Sequence, residues 1–277
     1  MDSKLKLELQ KTATKVRMGA IVGTHAAKSG HPGGSLSIAE ILTYLYFVKM
    51  KIDPENPKME ERDRFVLSKG HAAPALYSVL AERGFFSTEE IKKLRKPGEM
   101  LQGHPDLKKV PGVDMSTGSL GQGISAACGM ALSAKHFGDK YKVYCICGDG
   151  EIEEGQVWEA AMFAASKNLS NLTVFVDLNM LQIDGTIEQV NSPLPVDKKF
   201  EAFNWHVITI DGHDFDQIEA ALYEAEKTDK PVAIIANTVK GKGVSYMENQ
   251  VGWHGSAPND EQCEIALKEL NEKLASL

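Results

Sequence analysis

Apolar residues recur at two periods along this chain, and the change from one to the other marks out the fold. Helical spacing runs from Leu5 to Lys28, with Leu9, Val16, Ile21 and Val22 among its apolar positions. After a glycine-rich stretch, Gly30 to Gly34, Ser37-Ile38-Ala39-Glu40 has the form of a capping box opening a helix to about Lys49. Asp53-Pro54-Glu55-Asn56-Pro57 is a loop, helix signals return from His71 to Arg83, and Ser87-Thr88-Glu89-Glu90 repeats the capping pattern. Lys96 to Thr117, broken by Pro97, Pro105 and Pro111, predicts a long loop, and long loops inside compact domains are usually functional. Leu120 to His136, rich in Gly and Ala, predicts a closely packed helix.

From Lys142 the pattern switches to short continuous apolar runs. Lys142-Val143-Tyr144-Cys145-Ile146-Cys147 and Leu172-Thr173-Val174-Phe175-Val176-Asp177 read as buried strands on either side of a helix from Glu154 to Lys167. A loop from Leu181 to Val196 follows, then a strand at Trp205–Ile210, a helix at Asp214–Lys227 and a strand at Pro231–Asn237. A third loop, Lys240 to Asn259, leads to a terminal helix from about Asp260. There is no repeat and no low-complexity linker. The alternation predicts an α/β fold, a doubly wound and mainly parallel sheet flanked by helices, as one domain over residues 1–277.

Composition narrows the functional class. The chain has 277 residues, 43% apolar and 25% charged, enough for a full core. A net charge of −7 argues against nucleic acid as a partner. The short basic cluster Lys92, Lys93, Arg95, Lys96 reads as a solvated helix face. No apolar run is long enough to span a bilayer, and Met1 to Gln10 lacks a signal-peptide core, so a cytoplasmic, membrane-free protein is expected. Cys145 and Cys147 point to one face of their strand and read as reduced core cysteines; Cys128 and Cys263 have no metal spacing.

The chemistry concentrates in Gly148-Asp149-Gly150 and Asn179, which follow the two central strands. Taken singly they are a turn and a strand end. Parallel strands joined by a helix put their C-terminal ends side by side, however, so a carboxylate and an amide converge where open α/β sheets bind ligands. Oxygen ligands beside a glycine turn suit Mg²⁺ or Ca²⁺ carrying a phosphorylated ligand. Four of the eight histidines, His31, His71, His104 and His254, adjoin glycine in loops and can bond phosphate or hydroxyls and move protons near neutral pH. Gly118-Ser119-Leu120-Gly121-Gln122-Gly123 looks like a nucleotide loop, but no dinucleotide-type strand leads into it. Lys240-Gly241-Lys242-Gly243 reads as a phosphate nest or a mobile basic loop. His213, before a helix, reads as structural.

Gly-Asp-Gly followed about thirty residues later by Asn resembles the signature of thiamine-diphosphate enzymes. Ser29-Gly30-His31-Pro32-Gly33, Asp63 to Ala72, Gly103-His104-Pro105, the Gly118 run and His254-Gly255 are together similar to transketolases, in the same order, over essentially the whole chain. The resemblance covers only the first, diphosphate-binding part of a full-length transketolase. It implies thiamine diphosphate with Mg²⁺ (or Ca²⁺) on Asp149, Asn179 and the carbonyl of Leu181. It places His71, Gly118, Leu120, Gly150, Glu154 and His254 at the cofactor, and His31, His104 and His254 at the substrate, as the catalytic set. Glu154 and Glu159 would lie at a subunit interface, against the plainer reading of solvated helix charge. Ser119 stands where transketolases often have proline, and Asp177-Leu178-Asn179 replaces the more usual Asp-Asp-Asn.

The implied reaction is transfer of a two-carbon ketol unit from a ketose phosphate to an aldose, as in the pentose phosphate pathway. The glutamate that protonates the cofactor's aminopyrimidine lies, in transketolases, in a pyrimidine-binding domain that is not matched here. The expectation is therefore the N-terminal subunit of a split transketolase, working with a separate C-terminal subunit in an α2β2 assembly on sugar phosphates. Alternatives are another thiamine-diphosphate enzyme subunit, resembling 1-deoxyxylulose-phosphate synthase or a 2-oxo-acid dehydrogenase, or a non-catalytic binding subunit of the same fold.

Overall fold

Five parallel strands in the order β1-β2-β3-β7-β6 form the spine of the computed structural model, which describes residues 1–277. They are β1 (Arg64–Leu67), β2 (Val143–Gly148), β3 (Leu172–Leu178), β6 (His206–Asp211) and β7 (Val232–Asn237); β4 (Leu181–Gln182) and β5 (Gly185–Thr186) form a separate small hairpin. The helices are α1 (Ser3–Ala27), α2 (Pro32–Leu36), α3 (Ala39–Tyr44), α4 (Ala73–Arg83), α5 (Gln122–Phe137), α6 (Gly155–Ser166), α7 (Ile187–Val190), α8 (Val196–Ala202), α9 (Phe215–Ala225) and α10 (Asp260–Ser276). No helix is long and apolar enough to cross a membrane.

The two-residue period of the strands sorts the core into two layers. Tyr144 and Ile146 of β2, Phe175 of β3 and Ile234 of β7 pack with α1, α3, α4 and α9. Cys145, Cys147, Val174, Val176 and Ile235 pack on the other face with α5, α6 and α8. The cysteines are thus reduced core residues, as expected. The crossover β2–α6–β3 runs over one face and β6–α9–β7 over the other. The direction of winding therefore reverses between β3 and β7, the kind of place where open α/β sheets leave a crevice. Gly148 pairs with Asp177, and Leu178 with Asn237, so the chain leaves β2, β3 and β7 at one level.

Local structure departs from the sequence pattern in several places. Ser37 caps nothing: its hydroxyl donates to Asp177 (2.8 Å) and lies 3.1 Å from the Gly34 carbonyl, and Ile38 holds the cap position of α3. Glu40 is turned inward to a buried cluster. Arg17 donates to it at 2.6 Å, and His213 Nδ1 lies 2.9 Å from the same oxygen. Val239 N–H donates to His213 Nε2 at 2.9 Å, which leaves the ring proton on Nδ1 for Glu40 and makes His213 the structural residue it was read to be. Strand β1, only four residues long, gives no signal of its own. Buried Asp63 fixes it by accepting from Lys51 N–H (2.8 Å) and Lys142 N–H (2.7 Å). The 181–196 segment is not a plain loop: it holds the hairpin and α7, which Thr186 and Gln189 cap reciprocally.

Candidate functional site

A cavity of about 350 Å³ opens at the C-terminal ends of β2, β3 and β7. Among the residues expected at a site, it gathers His71, Leu120, Asp149, Gly150, Glu154, Asn179, Leu181 and His254. His31 lies behind this wall, its ring centroid 5.1 Å from that of His71 and 5.6 Å from that of His254. Gly118 and His104 are outside the cavity lining and touch one another. A Cβ on Gly118 (φ 139°) would lie 3.0 Å from the His104 ring, so only glycine lets the imidazole sit there.

Asp149 follows the last residue of β2 and is 3% exposed. Its two oxygens accept only main-chain protons, from Gly150 (2.9 Å) and Met180 (2.6 Å). Burial first, and then the neighbouring Asp177 charge, raise its pKa to about 6, against the pull of Lys240. The Asn179 amide donates to Asp177 at 2.9 Å, which fixes its orientation and leaves its oxygen opposite Leu181 N–H (3.2 Å). No group of three or more His, Cys, Asp or Glu is placed to hold a metal. The oxygens available here are mixed: one carboxylate, one side-chain amide and one main-chain carbonyl. Gly150 has ordinary helical angles (φ −69°, ψ −30°), so its need for glycine is one of space. A Cβ there would meet Gln182 at 3.1 Å, and Gln182 in turn donates to Glu153 at 2.8 Å.

Three residues that organise this site have roles the sequence pattern does not show. Lys69 is 1% exposed; it donates to the Gly34 carbonyl (2.7 Å) and to Asp177. Lys240 is 2% exposed, and its ammonium makes one hydrogen bond, with His254 Nδ1 at 3.1 Å. The N–H groups of Gly241, Lys242 and Gly243 are taken by Gly33, Val239 and Glu248, so of the two readings of this loop the phosphate nest does not form. Burial, and then Lys69, bring the Lys240 pKa down to about 8. Glu151, also buried, accepts from Ser68, from Gly121 N–H (2.9 Å) and from Gly148 N–H (3.0 Å). It thereby fastens the Gly118–Gly123 turn to the Gly-Asp-Gly turn. Nothing local announces these roles: Lys69 and Asp177 lie 108 residues apart in sequence, and a lysine after a strand reads as a surface charge.

The imidazoles are held neutral. Burial followed by repulsion from Lys240 takes His254 down to about 3. Burial followed by Arg95 takes His31 to about 4 and also lowers His104. Burial and Lys69 push His71 well below its ordinary value. No ring nitrogen of His31, His71 or His104 has a hydrogen-bond partner, and Nδ1 of His31 is fully buried without one. The Lys240 ammonium, which has no carboxylate partner, and neutral imidazoles with free nitrogens suit an anionic phosphate ester. Glu154 and Glu159 are both exposed, Glu154 at the cavity rim.

The family model described as "Transketolase, thiamine diphosphate binding domain" matches residues 9–273. The chain is 46% identical over 272 residues to the 6-deoxy-6-sulfo-D-fructose transketolase subunit SqwG of Clostridium sp. (strain MSTE9), covering 98% of this chain and 99% of that one. It is 43% identical over 272 residues to an apulose-4-phosphate transketolase subunit of Phocaeicola vulgatus, covering 98% and 96% respectively. The crystal structure of transketolase from Campylobacter jejuni superposes with a TM-score of 0.91 at 34% identity, covering 99% of this chain and 43% of that one.

Proposed function

This chain belongs to the transketolase family, as a thiamine-diphosphate-binding subunit of a ketol transferase, and we propose that the switch-point cavity is its cofactor site and that a second chain completes it. Residues 1–277 act as one diphosphate-binding domain. The observation that carries the reading is the meeting of buried Lys69 and Lys240 with Asp149 and Asn179 in one cavity. An anionic phosphate answers the Lys240 ammonium, while Lys69 is paired with Asp177, and a hard divalent cation answers the oxygens.

Mg²⁺ (or Ca²⁺) suits the Asp149 carboxylate, the Asn179 amide oxygen and the Leu181 carbonyl, none of which is a soft donor. His71, His254 and Lys240 would hold the diphosphate, with Gly150 keeping the floor open. Leu120, with Gly118 beyond the cavity lining, would hold the ring of the cofactor, and Glu154 would stand at the rim. Bound thiamine diphosphate supplies the carbanion equivalent that carries the two-carbon unit. His31 and His104 orient the hydroxyls of the ketose, and as neutral bases they can take a proton from one. His254 serves both cofactor and substrate.

Two relatives that this chain matches along nearly their whole length are named as subunits. That supports a separate partner chain; the rest of the proposal is that this partner carries the pyrimidine domain and joins the chain in a cytoplasmic α2β2 assembly. Exposed apolar side chains at the cavity, Leu120 and Ile183, and on the adjoining α6, Met162 and Phe163, offer a surface for that partner. The names of those relatives refer to a sulfonated and a phosphorylated sugar, in support of an anionic ketose as donor here. The test is reconstitution. The purified chain with Mg²⁺ and thiamine diphosphate is expected to show no ketol transfer, and addition of the pyrimidine-domain chain to restore it. Full turnover by the isolated chain would overturn the two-chain reading.

A further inference from the structure

Arg95 belongs to no solvated helix face. It follows the short 3-10 helix Thr88–Lys93, has a left-handed backbone (φ 61°), and turns its side chain toward the loops that carry two of the substrate-side histidines. One guanidinium nitrogen donates to Ser29 Oγ at 3.0 Å, two residues before His31. Another donates to the carbonyl of Gly103 at 3.5 Å, the residue before His104. A Cβ on Gly103 would fall 3.0 Å from the Arg95 Cζ, so that loop lies flat against the guanidinium. Its own N–H donates to the Leu101 carbonyl at 2.8 Å, which fixes the start of the span. None of the ion pairs of the chain includes Arg95, although acidic residues outnumber basic ones. His104 is buttressed from behind by Gly118 and by Tyr77, whose hydroxyl donates to the His104 carbonyl at 2.8 Å.

We propose that Arg95 is a positioning residue for ketol transfer, a clasp that sets the spacing of His31 and His104 by joining the loop of one to the loop of the other. This rests on the reading above that both histidines meet the substrate. A planar fork can satisfy two acceptors at once, which an ammonium on a flexible stem does poorly. The unpaired positive charge has a second effect, since it helps keep both imidazoles neutral. His31 faces Arg95, His104 and Lys240, together with the rings of His71 and His254; His104 faces Arg95 and His31.

The experiment compares Arg95→Gln, Arg95→Lys and the milder Ser29→Ala in the reconstituted assembly. It reads kcat/KM for the donor, the pH profile and the thiamine-diphosphate dissociation constant. Both Arg95 variants are expected to lose about ten-fold in kcat/KM, with cofactor affinity within about two-fold of wild type. The acid limb of the profile should move to higher pH in Arg95→Gln, where the repelling charge is gone, and stay in place in Arg95→Lys. Combined with His104→Ala, Arg95→Gln should add little further loss, because it acts through that histidine. Wild-type kcat/KM in both Arg95 variants, cofactor affinity falling as far as turnover, or fully additive losses would each overturn the clasp. If Arg95→Gln does not fold, Ser29→Ala decides alone: a fall in kcat/KM at unchanged cofactor affinity supports the proposal, and no fall overturns it. If His104→Ala itself leaves kcat/KM unchanged, the underlying reading of that histidine fails and the clasp with it.

Discussion

Two buried charged clusters lie on either side of the β7 end, and they differ in how completely they are closed. In the first, Arg17, Glu40 and His213 satisfy one another. Arg17 also donates to the Leu36 carbonyl at 3.2 Å, and the far nitrogen of His213 accepts from Val239. In the second, Asp177 is saturated by Lys69, Ser37, Asn179 and Thr238. Lys240 has a single imidazole contact, and the rings of His31 and His71 have no hydrogen-bond partner. Burying polar groups without partners costs stability. The closed cluster reads as scaffold; the open one reads as a place where a ligand completes the bonding.

The sharpest way to break this contrast is to open the closed cluster. Arg17→Met strands the Glu40 carboxylate and should cost about 3–5 kcal/mol of stability, read by denaturant unfolding of the chain. Cofactor affinity per folded molecule should be kept, and a parallel loss of that affinity would merge the two clusters into one functional unit. Acid offers a milder route. Burial pushes the Glu40 pKa up, but Arg17 and His213 overcome it and hold it at about 2, against an ordinary 4.5. The folded-state pKa is depressed, so its contribution is complete above about pH 4.5 and disappears as the pH falls toward 2. That contribution is at most about 3 kcal/mol. Unfolding midpoints measured from pH 5 downward should decline less steeply in Glu40→Gln than in wild type.

Opening the second cluster should act on binding. Asp149→Ala or Asn179→Ala is expected to weaken Mg²⁺-dependent thiamine-diphosphate binding about 100-fold in calorimetry, with an unchanged unfolding midpoint. Wild-type affinity in either variant would remove the metal assignment. The smallest effects should separate the histidines. His71→Ala should cost about ten-fold in cofactor affinity, while His104→Ala should lower kcat/KM for the donor by a similar factor at unchanged cofactor affinity. A loss of cofactor affinity alone in both would merge their roles.

The layered sheet was legible because long apolar runs alternate with helical periods from Lys142 onward, and periodicity is a local property. Strand β1 was not, since four residues held by Asp63 leave no pattern. The Asp149–Asn179 pair was readable from topology, as each follows a strand in one β-α-β unit. Lys69, Lys240 and Glu151 were not, because their burial depends on partners brought in by the fold. Ser37 and Glu40 misled in the opposite sense: their spacing matches a helix cap, yet Asp177 and Arg17 claim their side chains. Arg95 was lost in a run of basic residues, and only its left-handed backbone turns it away from them.

The bond from Val239 N–H to His213 places a slow hydrogen-exchange probe where a fast one would be expected. Val239 lies beyond the last residue of β7, and amides past a strand end usually exchange with solvent by local fraying. This proton is lodged instead on a half-buried imidazole whose other nitrogen is held by Glu40. Its neighbours on the chain, Thr238 and Lys240, reach Asp177 and His254. Releasing it to deuterium requires both clusters to loosen together. The exchange rate of this one amide therefore times the opening of the crevice floor, and it should slow when a ligand locks Lys240 in place.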